Sequence, residues 1–240
     1  MNRVILSAST DETILAVTRQ HKLVDLEIEQ QINTEIVGCI YKGVVKNIVP
    51  AVDGIFVDIG IGKNAFLRRK DLLNEKRFPT EGSPILAQVI KSDTDMKGAL
   101  ITEKISMFGK YAVTLSGTGY IGVSKKIRQE SVRKRLKEIG KEICAEHMGL
   151  IIRTAAENAD MDEFRKDITR LKENWDIIQK RFRMEKSPTL LYRESDIIVK
   201  ALRDYVNKGT EILITDNRKI YERICKLNES EHTIEPDKIS

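Results

Sequence analysis

The hydrophobic positions divide the chain into stretches that alternate and stretches that recur with helical spacing. Val4-Ile5-Leu6, residues 13–18, and then Leu23, Val24, Leu26 and Ile28 form three short β-rich runs, the first two parted by the polar turn Ser9-Thr10-Asp11. Short turns between such runs predict an antiparallel meander. Three strands cannot bury a core by themselves, so the meander needs a cover from elsewhere in the chain.

Residues 36–104 hold five more strand candidates, at 36–49, 54–61, 64–67, 85–92 and 98–105. Gly43, Gly54, Gly60, Gly62 and Gly98 punctuate them, as the bulges and tight corners of a small barrel require. Five short strands with one longer connection match the OB-fold. Beyond it, 111–115 and 120–123 read as strands, 130–144 as a basic helix, and Leu150-Ile151-Ile152 as a buried strand ending at Arg153-Thr154. The clearest helix is 161–184. Met161, Phe164, Ile168, Leu171, Trp175, Ile178 and Phe182 recur at spacings of three and four, which aligns one apolar stripe. Asp160 is placed to cap it and Ser187-Pro188 to end it. The chain closes with a short run at 189–191, a helix at 195–205, the stop signal Asn207-Lys208-Gly209, a strand at 211–215 and a helix at 219–227. This α/β material is the cover the meander needs, so both chain ends are expected in one subdomain with the middle inserted. The segment after Leu227, acidic and poor in apolar residues, is expected to fray.

Composition narrows the class. Of 240 residues, 41% are hydrophobic and 32% charged, which excludes a disordered chain. No apolar run could span a membrane, and the first residues lack the apolar region and cleavage site of a signal peptide. Cys39, Cys144 and Cys225 lie far apart and His21, His147 and His232 stand alone, so neither a disulfide framework nor a structural zinc site is expected. The reading is of reduced thiols in a cytoplasmic protein. The net charge of +5 suits a polyanionic partner. Its distribution says more: between Tyr120 and Glu142 lie Lys125, Lys126, Arg128, Arg133, Lys134, Arg135, Lys137 and Lys141, against Glu130, Glu138 and Glu142.

Two segments carry candidate chemistry. In Gly43 to Lys70, Phe56 and Phe66 sit on or beside successive strands with Lys42, Lys46, Lys63, Arg68 and Arg69 nearby. Single-stranded nucleic acid is held by aromatic faces that stack bases and by cations that follow the backbone. Either Phe alone would be read as core; glycines and a basic flank together favour the binding face. In Gly149 to Ala155, a strand delivers Arg153 and Thr154 at its end, a planar fork for phosphate and a hydroxyl beside it. Of the acids Asp53, Asp58, Asp93 and Asp95, the last two lie in a turn-like stretch with two readings, metal binding or a solvated loop, of which the solvated loop is preferred. No Ser/His/Asp set or P-loop competes.

The pattern I-Y-K-G-V-V-x-x-I-V-P-x-V-x-G-I-F-V-D-I-G followed by F-L, with Lys97-Gly98-Ala99 further on, resembles the S-one-type RNA-binding barrel of the ribonuclease E/G family. The strand Leu100-Ile101-Thr102-Glu103 departs from that family's usual Leu-Thr-Thr. The segment around Arg153 resembles the family's 5′ sensor. The resemblance runs in order from Met1 to about Leu227. It implies a mixed α/β and β architecture: an RNase H-like subdomain from residues 1–35 and 199–240, an inserted five-stranded OB-fold barrel at 36–104 and an inserted α/β 5′-sensor subdomain at 105–198. It implies RNA contacts at Phe56, Phe66 and Lys97, and a 5′-monophosphate pocket at Gly109, Val113, Arg153 and Thr154. Lys125 stands where the family tends to place an Arg, keeping the charge and losing the bidentate geometry.

In that family two aspartates of a downstream nuclease subdomain hold Mg²⁺, and a Cys-Pro-x-Cys zinc link joins subunits; neither segment is recognisable here. The resemblance therefore implies the RNA-recognition portion of a Mg²⁺-dependent single-strand endoribonuclease of RNA processing and decay. It implies no catalytic or metal-binding residue in this chain, inactivity in isolation, a 5′-monophosphorylated single-stranded RNA partner, and any homo-oligomer formed through downstream segments. The alternative is a complete, non-catalytic RNA-binding or regulatory protein of the same architecture. Whether the gene continues past Ser240 separates the two.

Overall fold

The computed structural model describes residues 2–30, 36–76, 78–94, 97–144, 148–193, 196–206, 209–231 and 234–240. The chain opens with β1 (Asn2–Ala8), β2 (Glu12–Arg19) and β3 (Lys22–Gln30), an antiparallel meander with Val4 opposite Val17 and Ile14 opposite Ile28. Gln20 and His21 both take positive φ, the pattern of the tight hairpin turn whose twist matches the flanking strands. Alternation works as expected: Val4, Leu6, Leu15 and Val17 are buried on one face.

Next come β4 (Ile40–Val49), β5 (Gly54–Asp58), β6 (Ala65–Arg68), β7 (Pro84–Lys91) and β8 (Leu100–Thr102). They pair in the order β4-β5-β6-β8-β7, and β7 returns to β4, closing a five-strand OB-like barrel. β4 and β8 are shorter than alternation suggested, because residues 36–38 form a turn and 103–105 leave the sheet. Two glycines are required by close approach. A Cβ at Gly43 would lie 2.5 Å from Val57 Cγ1, and one at Gly98 only 1.9 Å from the Asn64 carbonyl oxygen. Val45, Ile55, Val57, Ala65, Leu67, Ala87, Val89 and Ile101 fill the interior.

Then follow β9 (Ser106–Phe108), β10 (Ala112–Ser116), β11 (Ile121–Val123), α1 (Glu130–Ile143), β12 (Met148–Ile152), α2 (Met161–Met184) and β13 (Thr189–Tyr192). Four of these strands form a sheet in the order β11-β12-β10-β9, with β11 parallel to β12 and the other pairs antiparallel. The helices cover it with Leu136, Ile139, Phe164, Ile168, Leu171 and Ile178. Asp160 caps α2, accepting from the Asp162 and Glu163 N–H groups. β13 adds to β4 beside the barrel.

The chain ends with α3 (Ile197–Asp204), β14 (Ile212–Thr215) and α4 (Arg218–Glu231). Asp196 caps α3. β14 runs parallel to β1, completing a sheet of order β14-β1-β2-β3. Of the expected stop signal, Asn207 and Lys208 lie outside the described residues. The expectation of a frayed end is wrong. α4 runs past Leu227, and the Asn228 side chain donates to the Ile234 carbonyl (2.7 Å) and accepts from its N–H (3.0 Å). Ile234 and Ile239 are buried with Leu6, Leu213 and Ile224, and Ile239 bridges Leu213 in parallel. Two isoleucines suffice to dock a segment whose other side chains are mostly polar.

The chain forms two compact units, Met1–Glu35 with Ser195–Ser240, and Ile36–Glu194. Among the described residues no helix is long and apolar enough to cross a membrane.

Candidate nucleic-acid interface

Alternation along β5 and β6 decides which side chains reach the outside of the barrel. Ile55, Val57, Ala65 and Leu67 are fully buried, so Phe56 and Phe66, between them, face outward and are half-buried. The two stand directly opposite each other, ring centroids 5.4 Å apart and planes inclined by 52°. The register extends this row across the barrel: Asn47 is opposite Phe56, Leu100 is beside Phe66, and Lys91 is opposite Leu100. Gly54 seats the second ring, since a Cβ there would come within 2.3 Å of it. Lys97 is exposed ahead of β8, and its carbonyl accepts from the Thr94 N–H at 2.8 Å. The Lys63 ammonium donates to the Thr94 carbonyl (2.9 Å).

The basic flank is less uniform than the sequence suggested. Lys42 does not belong to it. Lys42 is buried, its ammonium donates to the Phe182 and Glu185 carbonyls (2.6 Å each), and it lies over the Phe182 ring. It satisfies the last turn of α2, where a cation also meets the negative end of the helix dipole. Lys46 pairs with Asp58 (3.4 Å) and Arg68 with Asp71 (2.5 Å). Arg69 pairs with Asp53 (3.5 Å) and stacks on the Phe78 ring.

A second group of residues meets where β10 begins and β12 ends. Val113 is opposite Ile151, and the Arg153 N–H donates to the Tyr111 carbonyl (2.7 Å). The Arg153 guanidinium donates to the Gly109 carbonyl (2.8 Å), and Thr154 shares a hydroxyl–hydroxyl hydrogen bond with Ser124 (2.9 Å). Gly109, Val113, Arg153 and Thr154 thus share one rim, and Lys125, exposed, follows Ser124 along it. This rim lies apart in sequence and in sheet from the Phe56–Phe66 row.

Residues 34–102 match the family model described as S1 RNA binding domain, and residues 106–240 match that of the Ribonuclease E/G family. The chain belongs to the ribonuclease E/G family. Among its relatives are Ribonuclease G of Escherichia coli strain K12, 32% identical over 93% of this chain and 49% of the relative, and Ribonuclease G of Haemophilus influenzae, 32% identical over 90% and 47%. Ribonuclease E of Buchnera aphidicola subsp. Schizaphis graminum is 31% identical over 92% of this chain and 24% of its own length. The chain spans about half the length, or less, of these relatives. It is an RNA-binding, ribonuclease-related region.

Within this ribonuclease E/G chain, several residues that order the rim gave little sign of themselves. Asp167 of α2 is buried and accepts from the Lys110 and Tyr111 N–H groups (3.2 and 2.8 Å) and from Arg170 (3.0 Å). A Cβ at Gly109 would lie 2.5 Å from its carboxylate, so Gly109 and Asp167 fit only as a pair. The available signal was a carboxylate on the apolar face, between Phe164 and Leu171. The Tyr111 hydroxyl donates to Glu163 (2.6 Å); burial, then this carboxylate, hold the phenol proton on well above its usual range. Arg133 donates to the Ser124 and Ile127 carbonyls (2.7 and 2.9 Å) and so ties the Lys125 segment to α1.

Among the described residues no three His, Cys, Asp or Glu side chains gather as a metal-holding group. Asp58 pairs with Lys46, Asp93 accepts from the Ser92 hydroxyl (3.3 Å), and Asp95 lies outside the described residues.

Proposed function

We propose that this chain is the RNA-recognition portion of a Mg²⁺-dependent single-strand endoribonuclease of RNA processing and decay, with the cytoplasm as its place of action. The observation that carries the reading is the outward-facing Phe56–Phe66 pair on a closed S1 barrel, with Lys97 and Lys63 beside the entry to β8. Two half-buried, outward-facing rings side by side on a barrel face offer bases a stacking surface, and nearby ammonium groups follow the phosphates. The Arg153–Thr154 rim is assigned to the 5′-monophosphate. A terminal monophosphate carries more charge and more acceptor oxygens than a phosphodiester, which a planar guanidinium and a hydroxyl can distinguish. The metal, the cleavage step and any subunit contact are assigned to the length of the relatives that this chain does not span. The chain alone is expected to bind and not to cut.

The test is titration of an unstructured oligoribonucleotide at one fixed salt concentration. Phe56→Ala/Phe66→Ala should lose about 1–3 kcal/mol per stacked base. Unchanged affinity in a folded double variant rejects the barrel face as the binding surface.

A further inference from the structure

Beside the rim, between β11 and α1, opens a cleft of about 270 Å³ that the reading above leaves unused. Its walls include Tyr120, Gly122, Lys125, Arg133, Lys134 and Lys137. Three features single it out. Tyr120 is 62% exposed, a large value for an aromatic ring attached to a folded sheet. Its ring lies over the Gly122 backbone, because a Cβ at 122 would come within 2.7 Å of Tyr120 Cε1 and 3.1 Å of the hydroxyl. Glycine there lets the ring lie along the wall of the cleft instead of standing away from it. Lys134 and Lys137 sit one helical turn apart on the exposed side of α1, opposite the buried Leu136, Ile139 and Gly140.

The charge is available to a ligand. Among the described residues Lys125, Lys134 and Lys137 have no ion-pair partner, whereas the one acid on the wall, Glu130, is paired with Arg133 at 3.7 Å. Arg133 is itself engaged, since it donates to the Ser124 and Ile127 carbonyls and fixes the wall from which Lys125 projects. An open cleft with one exposed ring and three unpaired ammonium groups suits a ligand that alternates flat apolar faces with anions. Single-stranded RNA has that chemistry.

We propose that this cleft is a further RNA subsite, separate from the barrel face and from the Arg153–Thr154 rim. One base stacks on Tyr120, and the phosphodiesters flanking it lie against Lys134 and Lys137, with Lys125 where the cleft meets the rim. The proposal rests on the RNA-binding part of the reading above and not on its 5′-end part. A strand whose end sits on the rim would continue into this cleft, so the subsite adds affinity for strands longer than the terminal nucleotide.

The experiment uses the whole 240-residue chain and a 5′-hydroxyl, unstructured oligoribonucleotide, which removes the 5′-monophosphate from the comparison. Affinity is measured over a salt series for the wild type, Tyr120→Ala, Tyr120→Phe, Lys134→Ala/Lys137→Ala and Lys134→Arg/Lys137→Arg. Phe56→Ala/Phe66→Ala is run alongside. Tyr120→Ala should weaken binding roughly five- to one-hundred-and-fifty-fold, the range expected of one stacked base, while Tyr120→Phe stays near wild type. Lys134→Ala/Lys137→Ala should lower the slope of log K against log salt by about 1.4, at about 0.7 per phosphate contact, and the arginine pair should restore it. The altered side chains are exposed, and far-UV circular dichroism checks the fold. Unchanged affinity in Tyr120→Ala overturns the proposal. So does a lysine effect without a tyrosine effect, which would mark a general polyanion surface. If Phe56→Ala/Phe66→Ala alone weakens binding, the cleft proposal falls and the barrel reading stands. If only the cleft variants weaken it, the barrel reading falls and the cleft stands.

Discussion

Arg153 depends on residues distant in sequence for its position. Its guanidinium is held by the Gly109 carbonyl, Gly109 can approach only because it lacks a Cβ, and the space it leaves is filled by the Asp167 carboxylate. Asp167 in turn satisfies two backbone N–H groups of the loop that carries Gly109. Asp167→Ala should leave the Lys110 and Tyr111 N–H groups unpaired and cost about 1–3 kcal/mol for each that stays dry, measured by urea unfolding. It should also blunt discrimination at the rim, because the loop would no longer be held. The rim itself is examined by a cycle of two oligoribonucleotides differing only at the 5′ end, each titrated against wild type and Arg153→Ala at one salt concentration. Loss of a charge-assisted hydrogen bond should weaken the 5′-monophosphate ligand by about 1.5–3 kcal/mol more than the 5′-hydroxyl ligand. Equal weakening would make Arg153 a general phosphate contact, and no weakening would make it a solvated strand end. Asp167 was hidden in the sequence because a single acid on an amphipathic helix reads as an exposed position until its neighbours on the stripe are counted.

At the level of elements, legibility followed the length and regularity of the hydrophobic pattern. α2 could be bounded in advance because seven apolar residues at helical spacing fix one face and Asp160 marks its start. The barrel strands were legible because glycines and β-branched runs alternate, and the outward setting of Phe56 and Phe66 follows from that alternation. β9 was not: three residues carry too little pattern, and it is defined by pairing with β10. Lys42 was misassigned for a related reason. Proximity in sequence to Phe56 suggested a basic flank, but the structure brings the end of α2 to it through the β13–β4 pairing. Lys42→Met keeps the stem and removes the charge. It should cost roughly 1.5–3 kcal/mol of stability, the range for hydrogen bonds to a charged group, and leave the salt slope of RNA binding unchanged. Urea unfolding and a salt titration on one preparation check both halves; a reduced slope would return Lys42 to the RNA surface.

Across the whole molecule, the chain builds separate cores. Among the described residues, the cluster of Val4, Leu6, Leu15, Val17, Leu213 and Ile224 draws all its members from the unit of both chain ends, and the two remaining clusters draw theirs from residues 36–194. The meander's need for a cover was legible in the sequence; the docking of the last residues was not, because only Ile234 and Ile239 carry it through a polar stretch. Their placement makes a sharp prediction. β14 is held between β1 on one side and the Ile239 bridge on the other, with the Ser240 N–H donating to the Leu213 carbonyl (3.0 Å) and the Thr215 N–H to the Ser240 carbonyl (2.8 Å). Ile239→Ala and Ile234→Ala should each cost about 2–5 kcal/mol, the range for removing a buried isoleucine side chain, with the smaller figure where the site can collapse. The loss should be confined to one unit. Native-state hydrogen exchange should show amides of β1 and β14 opening more readily in Ile239→Ala, while those of β4, β5 and β7 keep their wild-type protection. A frayed end would leave every amide unchanged. Loss of protection spread evenly over both units would mean that they unfold as one body, and that separate core clusters do not make separate cooperative units here.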